Sequence, residues 1–389
     1  QDALANNTTA SNNTGIGKSA LKENTTGATN TAVGTNSLLS NTTASQNTAV
    51  GFEALKDNTT GDKNAAFGYH TLENNTTGVH NTGLGRAALF RNTTGIQNTG
   101  VGYNALVENT SGIKNVAVGS DALDANTTAN ANTAVGFGSL GANSTGCCNV
   151  AIGTDALLSN TTGNDSVAIG FEALKSNTTN GFKVAVGPHA AELDTGAGAT
   201  VAIGNNCLKT NVSGVNNTGV GAQALMLNTS SNCTAVGLNA LRNNSTGTPN
   251  TAFGSQALEN NTTGTNNVGV GYASLFTNTT GGANTAVGVN ALYANTTALY
   301  NSAFGTSALR FNITGTVNNA FGVNSLYNVT TGTGNNAFGT NAGFSTTTAN
   351  HNTIMGDSAL YTNTTGIDNS AFGHVALYSA TTASGNSAF

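Results

Sequence analysis

Apolar and polar residues recur along this chain with a period of 17 residues. The stretch NTAVGFEALKDNTTGDK (residues 47–63) returns with small changes from one end of the sequence to the other. A glycine stands at every seventeenth residue from 17 to 221 and, after the loss of one residue, from 237 to 373, 22 times in all. If this glycine is position 1, the chain comprises 23 repeats, the first without its glycine and one without a loop residue.

Each position of the repeat follows its own rule. Position 17 is apolar in all 23 repeats, and position 5 is leucine in 21 of them. Positions 4 and 16 are small almost throughout, and positions 8 and 14 are each asparagine in 19 repeats. Positions 2, 3, 6, 7, 12 and 13 accept nearly any residue. We interpret the constant positions as packed and the variable ones as facing water.

The pattern predicts short strands rather than helices. Apolar residues do not recur at spacings of three and four, and Asn-Thr-Thr-Gly would interrupt a helix. The pieces TAVG and xAL have the alternation of two very short strands joined by turns. Seventeen residues with two large apolar side chains bury too little surface to fold alone, so each coil must stack on the next. We therefore predict an all-β protein, a parallel β-solenoid of 23 coils with 17 residues per coil.

Stacking at the spacing of paired strands, about 4.8 Å, would make the array roughly 110 Å long. Each leucine would then lie on a leucine, and the asparagines would form hydrogen-bonded ladders at the corners. Strand alternation places positions 17 and 5 inside a thin core. The predicted core residues are Leu38, Leu55, Leu106, Leu174, Val33, Val50, Phe67, Ile169, Phe253 and Phe304.

Positions 16 and 4 would then form stripes of small residues on the outside. Because no lysine, glutamate or glutamine occurs in those stripes, we expect a second and a third copy of the chain to approach them closely. The alternative is that a flattened coil has no room for larger side chains and that the small residues point inward. The sequence leaves both interpretations open.

The array is predicted to be continuous over residues 1–389, without a linker or a separate domain. Three coils depart from the pattern, and the first and the last of them are expected to be kinks or weak points. They span residues 187–203, which lack the leucine, residues 221–236, which are one residue short, and residues 339–355, where Gly343 and Phe344 replace the usual pair.

Composition argues against several classes of binding partner. Only 7% of the residues are charged, with 12 lysines and arginines against 17 aspartates and glutamates. Nucleic-acid and anionic-membrane binders need clusters of lysine and arginine, so neither partner is expected. No apolar run reaches the roughly 18 residues that span a bilayer, so no membrane insertion is expected. The four cysteines have neither zinc-site spacing nor a disulfide framework, and we interpret them as substitutions of polar or small core residues, with a disulfide between chains as the alternative.

The sequence offers no recurrent catalytic chemistry. Catalysis requires different residues to converge at one place, whereas a uniform solenoid repeats the same surface. Five histidines lie at scattered positions without a recurring carboxylate and are expected to be solvated individually; they are His70, His80, His189, His351 and His374. No aspartate holds the constant position that calcium-binding solenoids use. We therefore expect no enzyme and no catalytic, cofactor or metal site.

Position 8 has a second interpretation. All 19 of its asparagines begin an Asn-x-Ser/Thr triplet, so each loop could carry an N-linked glycan. The alternative is structural, since asparagine tolerates turn geometry and threonine bonds to loop backbone. The candidate acceptors include Asn24, Asn41, Asn58, Asn92, Asn160, Asn278 and Asn363.

Three stretches carry a resemblance to a known family. DSVAIGFEAL (165–174), NVAIGTDAL (149–157) and TVAIGNNCL (200–208) resemble the head repeats of trimeric autotransporter adhesins of the YadA type. The full unit is also similar to repeat arrays of phage tail fibres and bacterial surface fibres. The resemblance implies a left-handed parallel β-roll in which three chains form a stiff trimer. The adhesin unit is shorter, so the Asn-Thr-Thr turn is an extra loop here.

The sequence therefore predicts a structural protein, the shaft of an extracellular fibre or adhesin on a cell or virion surface. Its expected partners are copies of itself, in a homotrimer or an end-to-end filament, and a glycan or cell-surface ligand. Because the sequence begins and ends in repeat register without a polar cap, the alternative is a filament subunit that stacks end to end. A third possibility is ice binding through the ladders of threonine at positions 9 and 10.

Overall fold

The computed structural model describes residues 2–389, an all-β chain with one parallel strand in each repeat. This confirms the parallel β-solenoid and its period of 17 residues. No helix occurs between residues 2 and 389, and that part of the chain accordingly holds no helix able to cross a membrane.

The chain divides into two compact units, Gln1–Thr195 and Gly196–Phe389. The boundary lies inside the coil of residues 187–203 that the sequence marks as irregular. The first unit contains β1 (Thr14–Ile16), β2 (Thr31–Val33), β3 (Thr48–Val50), β4 (Ala65–Phe67), β5 (Thr82–Leu84), β6 (Thr99–Val101), β7 (Val116–Val118), β8 (Thr133–Val135), β9 (Val150–Ile152), β10 (Val167–Ile169) and β11 (Lys183–Val186). The second unit contains β12 (Thr200–Ile203), β13 (Asn217–Val220), β14 (Thr234–Val236), β15 (Asn250–Phe253), β16 (Asn267–Val270), β17 (Thr285–Val287), β18 (Ser302–Phe304), β19 (Asn319–Phe321), β20 (Asn336–Phe338), β21 (Thr353–Met355), β22 (Ser370–Phe372) and β23 (Ser387–Ala388).

Within each unit, consecutive strands pair in parallel with like positions side by side. Val33 of β2, for example, is the partner of Val50 of β3. The short coil of residues 221–236 keeps this register, because Gly219 pairs with Ala235 and the missing residue is lost from the loop. The deletion therefore leaves the strand ladder intact.

The prediction of a second strand in each coil, at the xAL piece, is wrong. Positions 2 to 7 form turns in which Glu53 and Leu55 have left-handed backbone angles, with φ of 55° and 51°. Such angles cost about 1–2 kcal/mol for a residue with a Cβ. Hydrogen bonds between coils offset this cost, since the Leu55 amide donates to the Thr71 carbonyl at 3.0 Å and the Glu53 amide to the Thr35 carbonyl at 3.0 Å. This side of the coil thus stacks without β-structure.

The recurrent glycine is required where the strand enters these turns. Gly119 has φ of 142°, a region that L side chains rarely adopt. A Cβ added there would lie 2.4 Å from the carbonyl oxygen of Gly136 in the next coil. The glycines stack backbone on backbone, which explains why no repeat substitutes them.

The predicted core is half right. The side chains of the leucines at position 5 are fully buried, which confirms Leu38, Leu55, Leu106 and Leu174. The prediction that the position-17 residues belong to the core is wrong, because all of them lie at the surface. The side chains of Val33 and Val50 are half-buried, and those of Phe67, Ile169, Phe253 and Phe304 are 39%, 37%, 43% and 36% exposed.

The strand does alternate, but with the opposite phase from the one expected. Ala32, Ala49 and their equivalents at position 16 are fully buried, and so are the small residues at position 4. Positions 4 and 5 both point inward because the left-handed turns break the period of two. The coil is therefore too narrow for more than one large side chain, and the inward orientation of the small residues is confirmed.

One irregular coil shows how tightly this interior is filled. In residues 339–355 the leucine is replaced by Gly343, and the small residue of position 16 is replaced by Ile354. A Cβ on Gly343 would lie 2.7 Å from Cδ1 of Ile354 and 2.9 Å from Cδ2 of Leu326. Ile354 is fully buried, so its larger side chain fills the space that the missing leucine leaves.

Asparagine ladders form the other half of the interior, as predicted. Asn58 at position 8 donates from Nδ2 to Asn41 Oδ1 of the preceding coil at 3.0 Å and to the Gly61 carbonyl at 3.0 Å. Asn47 at position 14 donates to the same Gly61 carbonyl at 3.0 Å. The Asn64 amide donates to Asn47 Oδ1 at 2.8 Å. These amides thus satisfy the backbone of the loop, which is why polar side chains can be buried here.

Candidate interaction surface

The outward side chains of the strands form an uncharged surface in each unit, with an apolar column at position 17 beside a column of mostly threonine and valine at position 15. We call the side chains at positions 15 and 17 the strand face. Position 17 is apolar in every repeat, yet none of these side chains is buried anywhere from Ile16 to Phe389. Neither position carries a charged residue between Thr14 and Phe389. Large apolar surfaces of this kind are unusual on monomeric proteins and mark interaction sites.

Like residues stack along the strand face. The rings of Phe304, Phe321 and Phe338 are parallel, with centroids 4.7 and 4.8 Å apart. Each ring covers the face of the next, so the outer edges of the rings remain accessible. The stacking rigidifies the surface without removing it from solvent.

A second aromatic column lies at position 6 of the second unit. Phe276 and Tyr293 stack at 5.2 Å, and the series continues through Arg310, whose guanidinium lies 5.9 Å from the rings of both Tyr293 and Tyr327. Phe344, Tyr361 and Tyr378 extend the column at spacings of 5.0 to 5.1 Å. Because the ring faces cover one another, the column offers few free faces on which a sugar could stack.

The proposed glycan acceptors lie inside the fold. Asn24, Asn41, Asn58, Asn92, Asn160, Asn278 and Asn363 are all buried, and their Nδ2 atoms donate to the loop carbonyls. An amide nitrogen in this position cannot reach a glycosylating enzyme in the folded chain. The interpretation of these residues as glycosylation acceptors is therefore wrong for the folded protein, and the structural alternative explains the triplet.

The threonine that follows each of these asparagines also serves the ladder. Thr59 Oγ1 donates to the Thr76 carbonyl of the next coil at 3.0 Å, and Thr93 Oγ1 donates to the Thr110 carbonyl at 3.0 Å. Position 9 is half-buried, whereas position 10 is exposed. One of the two threonine columns thus has its hydroxyl committed to the protein.

Two of the five histidines contradict the prediction of isolated, solvated side chains. His70 Nδ1 lies 3.5 Å from Glu53 Oε2 and also contacts Glu73 Oε2. His189 Nδ1 lies 3.2 Å from Glu172 Oε2 and 2.8 Å from Glu192 Oε2. His80, His351 and His374 are exposed as expected.

The sequence signal for these contacts appears only when successive repeats are compared position by position, and not along a single repeat. In both places a Glu-x-x-Lys occupies positions 3 to 6 of one coil and a His-x-x-Glu occupies the same positions of the next. Aligning the repeats in columns would have revealed it.

All four cysteines are free thiols. Cys207 and Cys233 are buried, and burial raises the pKa of the Cys207 thiol to about 12 and also raises the pKa of Cys233. Cys148 is exposed and Cys147 is half-buried. Cys207 therefore occupies a small core position and Cys233 an asparagine position of the ladder, where its amide donates to Asn217 Oδ1, whereas the adjacent pair lies at the surface.

Comparison with protein-family models, with curated proteins and with solved structures finds no match to this chain. The resemblance to adhesin heads and fibre repeats accordingly stays a prediction. What the structure establishes is a β-solenoid repeat protein with buried ladders of asparagine and an exposed strand face that carries an apolar column at position 17.

Proposed function

We propose that the chain is a non-enzymatic structural protein, the shaft of an extracellular fibre, and that its strand face joins copies of the chain side by side. The observation that supports this most directly is the apolar column at position 17 of the strand face, which no charged residue interrupts and which is not buried within its own unit. An exposed position that is apolar in every repeat has a use other than solvation.

The resemblance to trimeric adhesin heads suggests three copies. The sequence places the contact between copies at the small residues of positions 4 and 16. Because those side chains are internal, we place the contact at positions 15 and 17 instead. Three strand faces turned toward one axis would remove these valines, isoleucines and phenylalanines from water. At about 25 cal/mol per Å² of apolar surface, such burial is the main force that would hold the trimer together.

The few charges and the polar loops are consistent with this role. A surface rich in asparagine and threonine resists unspecific electrostatic association. The inter-coil ladders hold each coil to its neighbours, as a part that carries tension requires. Attachment to a glycan or another cell-surface ligand, and a location on a cell or virion surface, are parts of the proposal that follow from the resemblance.

The mass of the assembly in solution tests the proposal. We expect a discrete species of three 38.6 kDa chains in sedimentation velocity. Val118→Lys with Val135→Lys, both on the strand face, should dissociate it, because burying two charges per chain in an apolar contact is strongly unfavourable. Ser111→Lys with Thr128→Lys, at exposed loop positions of neighbouring coils, is the matched control and should leave the trimer intact.

The other outcomes discriminate between the alternatives. A monomeric wild-type chain would refute association through the strand face. An open-ended series of polymers that survives the strand-face substitutions would favour the end-to-end filament instead. Thermal hysteresis would favour ice binding, although the committed hydroxyls of position 9 argue against it.

A further inference from the structure

We propose that two clusters of histidine and glutamate each bind a divalent transition-metal ion, with Zn²⁺ as the best fit. The first cluster comprises Glu53, Lys56, His70 and Glu73, and the second comprises Glu172, Lys175, His189 and Glu192. Both lie in the first unit, exactly seven repeats apart, and each spans two adjacent coils at the same positions.

The geometry of the oxygen and nitrogen atoms suits a single ion. In each cluster the histidine Nδ1 and one oxygen of each glutamate lie within 4.8 Å of one another. Ligands about 2.0–2.2 Å from a tetrahedral Zn²⁺ are separated by roughly 3.4 Å. The distances of 3.5 Å between His70 Nδ1 and Glu53 Oε2, and of 3.2 Å between His189 Nδ1 and Glu172 Oε2, are close to that separation. The other pair in each cluster, His70 with Glu73 and His189 with Glu192 at 2.8 Å, lies closer and would have to move apart around an ion.

The first cluster also holds two buried polar atoms in contact with each other. Glu73 is only 8% exposed, and its Oε2 contacts His70 Nδ1, which is buried as well. Without an ion, these two atoms are each other's partner. Imidazole nitrogen and carboxylate oxygen are both ligands that Zn²⁺ accepts, so a bound cation coordinated by both would take the place of this contact.

Aromatic rings hold the histidines in place. The His70 ring meets Tyr69 edge-on, with centroids 3.8 Å apart, and lies 5.4 Å from Phe52 in the same manner. His189 packs edge-on against Phe171 at 5.1 Å. A histidine that is oriented before the ion arrives loses less entropy on binding, and the apolar wall strengthens the attraction between the ion and the carboxylates.

The lysine of each cluster lies next to the same glutamates that would bind the ion. Lys56 Nζ lies 3.4 Å from oxygens of both Glu53 and Glu73, and Lys175 Nζ lies 2.6 Å from Glu172 Oε1. Both lysine side chains are partly exposed and can swing into solvent. The ammonium thus competes with the ion.

The ligand types select the class of metal. Imidazole nitrogen with carboxylate oxygen suits Zn²⁺ and its neighbours in the transition series, whereas Ca²⁺ and Mg²⁺ prefer oxygen alone. Three protein ligands leave a fourth position for water. Because the ligands come from two successive coils, each ion would fasten one coil to the next.

Titration of the chelator-treated, full-length chain with Zn²⁺, followed by calorimetry, tests the proposal. We expect two ions per chain, one in His70→Gln and one in His189→Gln, and none in the double variant. Lys56→Met with Lys175→Met should tighten binding about ten-fold or more, because it removes a like charge next to the ion. Zn²⁺ should also raise the melting temperature of the wild type but not that of the double variant.

Two controls keep the result interpretable. His351 Nδ1 lies 3.7 Å from Asp368 Oδ1 in an exposed pair without a third ligand, so His351→Gln should still bind two ions. Glu73→Gln with Glu192→Gln keeps both histidines and should also abolish binding, which guards against a folding defect in the histidine variants. No binding to the wild type, or two ions bound by the double histidine variant, would overturn the proposal.

Discussion

The asparagine columns and the strand face are the two most regular features of the coil, and each lies where hydropathy alone would not place it. The asparagines of positions 8 and 14 are polar and buried. The residues of position 17 are apolar and lie at the surface. In a coil this narrow, the interior selects side chains by size and by hydrogen-bonding capacity as much as by polarity.

The two features also differ in what they stabilise, which is the fold of one chain for the ladder and the assembly of several chains for the strand face. The asparagine ladder holds a coil to its neighbours within one chain, because its amides satisfy the loop carbonyls. The side chains of the strand face are at most half-buried in the folded chain and remain available for contacts between chains. Substitutions in the ladder should therefore affect folding, whereas substitutions on the strand face should affect assembly.

The largest effect is expected where the ladder contains charges. Lys183 replaces the asparagine of position 14, Asp194 replaces that of position 8, and the two fully buried side chains form an ion pair at 2.8 Å. Lys183→Met should destabilise the surrounding coils by about 3–5 kcal/mol, because it leaves the carboxylate without the opposite charge. Amide hydrogen exchange over residues 170–194 measures this, since a repeat array does not unfold in one step.

The matched double variant, Lys183→Asn with Asp194→Asn, restores the usual ladder residues. Asn177 Oδ1 accepts no hydrogen bond, since an aspartate offers no N–H to continue the column. The double variant should therefore be at least as stable as the wild type. A greater loss of protection than in Lys183→Met would contradict this account of the ladder.

The regular part of the ladder should be nearly as sensitive. Asn109 donates to Asn92 Oδ1 at 2.7 Å and to the Gly112 carbonyl at 3.1 Å, and it accepts from Asn126 at 2.8 Å. Asn109→Leu removes three hydrogen bonds of roughly 1 kcal/mol each and should cost about 3 kcal/mol in hydrogen-exchange protection of the adjoining coils. The exposed neighbour provides the control, because Ser111→Ala should change protection by less than about 0.5 kcal/mol.

Two adjacent residues of β7 test the phase of the strand. Ala117 is fully buried, so Ala117→Leu should overpack the coil and cost about 1–3 kcal/mol in the stability of a single chain. Val118 is half-exposed, and Val118→Thr should leave that stability within about 1 kcal/mol of the wild type. Amide hydrogen exchange of the dissociated chain, read over the coils that adjoin β7, provides the comparison. Equal effects of the two substitutions would mean that the strand faces are assigned wrongly.

The smallest effect concerns reactivity rather than stability. A thiol-specific reagent should modify Cys147 and Cys148 in the folded chain and all four cysteines after denaturation. Burial keeps the Cys207 thiol, with a pKa of about 12, protonated and out of reach at neutral pH. Counting the modified thiols by mass spectrometry checks this, and rapid labelling of Cys207 under native conditions would show that the core opens.

Much of the fold could be predicted because every repeat is a separate example of the same coil. The period, the leucine column and the asparagine ladders all follow from which residue types recur at which position. Compensating changes such as Gly343 with Ile354 were not visible as a pair, because their contact depends on the path of the chain around the coil. The second predicted strand failed for a similar reason, since left-handed angles at Leu55 and its equivalents are carried by ordinary residues without a sequence signature.

The sequence by itself determined the register, because any stacking that places unlike positions together would break the leucine column and both asparagine ladders. It could not determine which of two alternating faces lies inside, since a pattern of period two fits either phase equally well. The tertiary structure decided that question through volume, as only alanine and glycine fit opposite the leucine. It also brought Glu53 of one coil to His70 and Glu73 of the next, residues that lie 17 or more positions further along and meet it only once the chain is wound.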